Sequence, residues 1–403
     1  VMWALRATRL FDGERVIERP LLLVAGGAII AVRERGIAPV GVPLTDLGHV
    51  TLLPGLVDAH VHLVLPGDPD PVGAVDVSAD ELISNARRAA NACLDGGITT
   101  VRDLGDRDYV TVGVRAESAR DPMAGPQLLV SGPPITTEGG HCWFLGGAVT
   151  GRSALIEAVR SRVARGVDVI KIMASGGEIT PGSRSWQAQY TVDDLRMVVT
   201  EAHRSGLPVA AHAHAVSAIE RALAAGVDTI EHATFRTRDG VRPDPGLIDR
   251  LAAAGTPVTV TTGFSPEGPP LDAAVRLRTA AALRAADDMR RAGVRIVLAS
   301  DAGISDQKPH RLLPFGIIRL VEAGFPPVEA LRAATATAAS ACGLPRKGRV
   351  VPGADADLLA VDGDPTRDIR AVLAVRAVYR GGQQVRYFDP EKWHDTRSRR
   401  SGY

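Results

Sequence analysis

What the chain lacks narrows its chemistry first. It has three cysteines, Cys93, Cys142 and Cys342, in 403 residues. They are too few and too scattered for a disulfide framework or a cysteine-type zinc site, so the expected compartment is reducing. No sign of charge dominates: 47 Lys and Arg stand against 46 Asp and Glu, for a formal net charge of +1. That balance gives no electrostatic case for nucleic acid or an anionic membrane as partner. There is no run of 18 apolar residues, and no basic stretch followed by an apolar one opens the chain. The expectation is a soluble, cytoplasmic protein.

What is present is ample core material: 45% of residues are hydrophobic and 23% charged, enough for a folded chain of one large barrel or two to three ordinary domains. Between residue 51 and about residue 345, eight short apolar runs alternate with helical patterns. The runs are TLLPGLVDAHVH, GITTVRDLG, PQLLVSGPPI, VDVIKIMAS, LPVAAHAH, DTIEHATF, TPVTVTTG and VRIVLASDAG. Each has the continuous apolar character of a parallel strand covered on both faces. Helix starts lie between them. Ser78 is followed by Glu81 and the pattern closes on Gly96-Gly97, while Thr191 and Asp194 precede Leu195, both in capping-box spacing.

Eight strand–helix units predict an α/β fold, a (β/α)8 TIM barrel over residues 55–345. The flanks, residues 1–54 and 346–403, carry short strand-like runs, too few on either side for an independent sheet. One small β-sandwich domain built from both chain ends is the economical reading. The closing WHDTRSRRSGY reads as a frayed tail.

In such a barrel, chemistry sits at the C-terminal ends of the strands. His60 and His62 end the first run, two residues apart and so on one strand face. Lys171 lies in the fourth run, His212 and His214 end the fifth, His232 the sixth, and Asp301 the eighth. Five of the 10 histidines fall at these ends, and His141 and His310 lie in loops that follow the third and eighth runs. Each piece alone has a bland explanation: a polar pair, a surface lysine, a helix cap. Jointly they point to a metal site, because independent structural reasons would not gather them on one rim. Imidazole and carboxylate suit zinc and other borderline divalent ions. A protonated Lys171 would be repelled there. It must be neutral, or converted by CO2 into an anionic carbamate; a Schiff-base lysine is the competing reading, which the flanking histidines disfavour.

These motifs, PGLVDAHVH, VIKIMASGG, AHAH, IEHATF and ASDAG, with the closing GRVVPGADADLLAVDGDP, resemble the amidohydrolase superfamily, in its prolidase-like and imidazolonepropionase-like branch. The resemblance implies a binuclear metal-dependent hydrolase of an amide bond, in a dipeptide or an N-acyl amino acid. It implies two divalent ions, zinc first among them: one held by His60, His62 and Asp301, the other by His212 and His232, with carboxylated Lys171 bridging. A hydroxide between the ions would be the nucleophile, and Asp301 the proton shuttle. His141 matches a histidine that polarises the scissile carbonyl. His214 departs from the pattern, since related enzymes often carry tyrosine there, and is assigned to substrate rather than metal.

Softer candidates for substrate contact are Arg184, in the Gly- and Ser-rich stretch 174–190, and His310. Asp103, ending the second run, is expected to be a buried support. The same site could serve lactones, phosphotriesters or ring deamination. Relatives that deaminate usually lack the lysine, so Lys171 argues against the last. A non-catalytic binding homologue would be expected to have lost ligands, and all six are present. The expected partner is a small molecule; a homo-oligomer is expected by analogy alone.

Overall fold

The computed structural model describes residues 1–67 and 70–388. The tail WHDTRSRRSGY, with His394, lies outside the described residues. Eight strands between residues 56 and 298 pair in parallel: Leu56–Val61, Ile98–Asp103, Gln127–Val130, Ile170–Met173, Val209–Ala215, Thr229–Thr237, Val258–Val260 and Ile296–Leu298. The first three form one sheet and the last five another. Backbone hydrogen bonds join the two sheets at both margins. Ile135 N–H donates to the Lys171 carbonyl and Met173 N–H to the Ile135 carbonyl, each at 2.8 Å. On the other side Asp301 N–H donates to His60 O at 2.8 Å and His62 N–H to Ala302 O at 2.9 Å. These last two bonds bring the ends of the first and eighth strands, and their ligand-type side chains, side by side.

The first and fourth strands are buried along their whole length, as their unbroken apolar sequences require. The helices begin where the caps predict. Ser78 accepts from the Glu81 N–H at the start of Ala79–Asp95. Thr191 and Asp194 close a reciprocal capping box ahead of Val192–Arg204, satisfying two amides that would otherwise lack partners. Among the described residues no helix is long and apolar enough to cross a membrane.

The two chain ends share sheets and a core. The strand Leu358–Asp362 pairs antiparallel with Val50–Pro54, although the two are far apart in sequence. Leu10, Leu22, Leu52, Leu358 and Tyr379 belong to one buried apolar cluster. Neither end could bury its apolar face alone, which is why strand-like runs appear on both flanks.

One expected run divides. TLLPGLVDAHVH forms two strands, Val50–Pro54 in the end sheet and Leu56–Val61 in the parallel set. Gly55 is the joint: its N–H donates to Asp357 O at 2.9 Å, and the next amide, Leu56, donates to Gly97 O at 3.0 Å. A Cβ at Gly55 would lie 2.1 Å from Thr99 Oγ1, 2.6 Å from its Cγ2 and 2.9 Å from its Cβ. Rotating the threonine cannot relieve all three contacts. Gly55→Ala should therefore destabilise the chain by about 1–3 kcal/mol, the usual cost of overpacking a buried site. The check is the urea unfolding midpoint; an unchanged midpoint would mean the backbones can separate freely at this joint.

Candidate metal centre

The strand ends deliver their polar side chains into one cavity of about 280 Å³, lined by His60, His62, Lys171, His212, His232 and Asp301 together with His141 and His214. All except His214 are buried. Among the described residues, two trios have ligand-type atoms mutually within 4.8 Å: His60, His62 and Asp301, and His212, His214 and His232. Lys171 Nζ lies 3.3 Å from His60 Nε2. The second trio thus contains His214, which the sequence assigned to substrate, while Lys171 stands beside the first.

Hydrogen bonds on the outer sides of the rings decide which nitrogens face inward. His60 Nδ1 is 3.0 Å from Glu231 Oε2, His62 Nδ1 is 3.1 Å from the Gly105 carbonyl, and His212 Nε2 is 3.0 Å from the Gly176 carbonyl. A carbonyl or an ionised carboxylate can only accept, so in each pair the ring nitrogen carries the proton. A neutral ring then turns a lone pair to the centre: Nε2 of His60, Nε2 of His62, Nδ1 of His212. His214, His232 and His141 bond instead to the hydroxyls of Thr234, Thr261 and Thr180, at 2.8, 2.8 and 2.9 Å. A hydroxyl donates or accepts, so those tautomers stay adjustable.

Both His60 Nε2 and His62 Nε2 approach Asp301 Oδ1 at 3.4 Å. Two lone pairs and a carboxylate oxygen converge, an arrangement that repels itself unless a cation joins it. The donor set of imidazole and carboxylate fits a borderline divalent ion.

Burial sets the proton states. It drives the His60 ring down to about 4, assisted by the Lys171 charge, and His141 down to about 3. It pulls Lys171 down to about 8, so a substantial share of that amine is neutral in mildly alkaline solution. Burial alone would raise Asp301, but His60 and His62, in their protonated forms, and the Lys308 ammonium outweigh it and hold the carboxyl well below its ordinary value. In the same way Arg102 and His60 overcome burial and keep Glu231 ionised.

The backbone is bent to fit. His232 has φ 73° and Asp301 φ 55°, left-handed values that cost a non-glycine residue roughly 1 kcal/mol or more. At His232 the bend breaks strand alternation. Glu231 reaches His60 and His232 lines the cavity, although neighbours in a strand normally face opposite ways.

Two candidates lie elsewhere. Arg184 is exposed and does not line the cavity, which instead takes its guanidinium groups from Arg236 and Arg278. His310 stands behind the centre, its Nε2 3.0 Å from the His62 carbonyl. Its own loop sends Lys308 into the cavity, with Nζ donating to Thr261 O at 2.7 Å and Ser300 O at 2.8 Å. Asp103 accepts from Leu63 N–H at 2.7 Å and Gly105 N–H at 3.1 Å, and so fixes the turn that bonds His62. Sequence reasoning passed over the Arg102–Glu231 pair, at 2.9 Å. Its signal was a charged residue one place before each singled-out residue, in VRDLG and IEHATF.

Six histidines, His60, His141, His212, His214, His232 and His310, have their pKa lowered chiefly by burial. Unfolded, each would take a proton near 6.5; folded, those with a resolved value hold it off until about 3 to 4. Between those limits the unfolded chain binds more protons, so stability falls as pH falls. Burial raises Asp58 to about 6 and Asp106 to about 7. That has the opposite sign, as does the Asp103 carboxyl, which burial also raises, adding stability in acid that is lost as pH rises, but it involves three groups against six. The metal-stripped chain should lose stability steadily from pH 6.5 to 4 in urea titrations. A flat or rising midpoint over that range would show that these rings are not buried in the neutral form.

Known proteins bear on this arrangement. A family model described as "Amidohydrolase family" matches residues 51–385. Ochratoxinase of Aspergillus niger is 28% identical over 375 residues, covering 82% of this chain and 75% of the relative. Imidazolonepropionase of Deinococcus deserti is 27% identical over 405 residues, covering 90% and 91%. Among solved structures, an Xaa-Pro dipeptidase with methionine bound in its active site superposes with a TM-score of 0.83 at 27% identity, covering 95% of this chain and 99% of that one.

Proposed function

The chain belongs to the amidohydrolase family, a metal-dependent hydrolase by that membership, and from this premise we propose that it cleaves an amide C–N bond in a dipeptide or an N-acyl amino acid at a centre of two divalent ions. The observation that carries the reading is the convergence of tautomer-locked lone pairs from His60, His62 and His212 with the Asp301 carboxylate on one cavity. The parallel strands are read as a (β/α)8 barrel, in line with the backbone bonds at both margins, and the end sheets as a β-sandwich formed by 1–54 and 346–403, in line with their shared core.

His60, His62 and Asp301 would hold one ion, and His212 and His232 the other. When bound, two divalent ions, zinc by donor type, polarise a carbonyl and acidify water near neutral pH. Lys171 would take part as a carbamate, an anionic ligand in place of a cation: the neutral amine adds CO2 through a new N–C bond and releases one proton, leaving an anion. Its lowered pKa and its place against His60 support that role. Asp301, held ionised, takes a proton from water and passes it to the leaving amine. His141, whose Nδ1 lies 2.9 Å from Thr180 Oγ1, can accept there and donate from its other nitrogen to the carbonyl oxygen as charge develops. His214 belongs to the substrate side, its Nδ1 engaged by Thr234. The cavity volume is near the lower end of ligand pockets, roughly 300–1,000 Å³, which suits a dipeptide-sized substrate.

The reading is tested by amine release from a panel of dipeptides and N-acyl amino acids; hydrolysis of lactones or phosphotriesters alone would replace it. Lys171→Ala should lose most activity and regain part of it with short-chain carboxylates, which can substitute for the carbamate. Full activity in that variant would remove the carbamate. Asp301→Asn should keep the fold and lower kcat by roughly 10²–10⁴-fold, the worth of one proton-transfer group; a kcat within about threefold of wild type would remove Asp301 from the mechanism.

A further inference from the structure

Part of the cavity wall has a different character. The helix Ala273–Arg291 lays Val275, Arg278, Thr279 and Ala282 along the cavity, the i, i+3, i+4, i+7 spacing of one helix face. Val241 and Phe264 extend the apolar part of that wall.

Two guanidinium groups, Arg236 and Arg278, and the Glu178 carboxylate also line the cavity. Arg236 is committed. Its Nη2 lies 3.2 Å from Glu178 Oε1, and its Nε lies 3.3 Å from Ser185 Oγ, whose hydroxyl donates to Glu178 at 2.6 Å. Arg278 makes no hydrogen bond and no ion pair among the described residues. Burial would push the Glu178 carboxyl up, but Ser185, Arg236, Arg278 and His214 together pull it below its ordinary range. Both guanidinium groups are therefore in electrostatic reach of Glu178, which forms its ion pair with Arg236. A half-buried guanidinium beside an apolar stretch of wall, with no hydrogen-bonded partner among the described residues, is a poor arrangement for stability alone, since its hydration is reduced and no direct contact replaces it.

We propose that Arg278 is the specificity-determining residue of this site: it receives the free carboxylate of the substrate, while Val241, Phe264 and Val275 receive an apolar or aromatic side chain. This rests on the amide-hydrolase reading and narrows it to anionic N-acyl derivatives of apolar amino acids. A guanidinium meets a carboxylate through two parallel hydrogen bonds, which fixes the substrate's direction as well as its charge. Substrates with a cationic side chain are disfavoured, because Arg236 and Arg278 both line the cavity.

The test is calorimetric, so that binding is read apart from turnover. Metal-loaded Asp301→Asn protein is titrated with N-acetyl-L-phenylalanine and with its neutral carboxamide. The acid should bind about 10- to 100-fold more tightly, the worth of one charge-assisted pair. Adding Arg278→Met should abolish that preference, and adding Arg278→Lys should keep part of it. Arg284→Met, at an exposed position on the same helix, should leave it unchanged. In otherwise wild-type enzyme Arg278→Met should raise KM for the acid by a similar factor with little change in kcat. Equal affinity for acid and amide, or a preference that survives Arg278→Met, overturns the proposal. Should the wild-type enzyme release amine from no member of the panel of dipeptides and N-acyl amino acids while the Arg278-dependent preference persists, the amide-hydrolase reading fails and the carboxylate site stands.

Discussion

Everything at this centre follows from withdrawing ionisable groups from water. His60, His62, Lys171, His212, His232 and Asp301 are all buried, and a buried polar atom must find a partner or bear the cost of desolvation. On their outer sides the rings have partners: Glu231, a carbonyl or a threonine hydroxyl. On their inner sides they present lone pairs to one another and to a carboxylate. The fold thus satisfies each ring on one nitrogen and leaves the other, fixed as a lone pair in His60, His62 and His212, available to a cation. Such a site is assembled by second contacts as much as by the ligands themselves.

The rest of the molecule holds this arrangement in place. Hydrogen bonds between the ends of the first and eighth strands set His60 and His62 against Asp301. The end sheets anchor the first strand through Gly55, with no loop between. Left-handed backbone at His232 and Asp301 is tolerated because the surrounding strands over-determine it, and both bends fall on proposed ligands. Stability has been given up where the chemistry is proposed to occur, the pattern expected of a functional site.

Much of this was legible in the sequence because strands impose a simple rule. Continuous apolar runs marked the eight parallel strands, and residues at their C-terminal ends had to share a rim, so His60, His62, His141, Lys171, His212, His214, His232 and Asp301 could be brought to one cavity from spacing and resemblance. What escaped depends on tertiary detail. Arg278 sits on a helix with other arginines, and only the phase of that helix against the cavity tells it from its neighbours. Arg184, a soft candidate from the stretch that follows Lys171, is turned to solvent by its loop. Lys308 and His310 are two residues apart, and nothing local says which one enters the cavity. Glu231 was hidden by the strand rule itself, because the bend at His232 breaks the alternation that would have turned it away.

These side chains are proposed to form a centre for two ions, not one. That stoichiometry is tested most directly by metal analysis of the purified chain after saturation with zinc and removal of the excess, by elemental mass spectrometry against protein concentration. The account predicts two equivalents per chain. A stoichiometry that saturates at one, or retention of none, would contradict it.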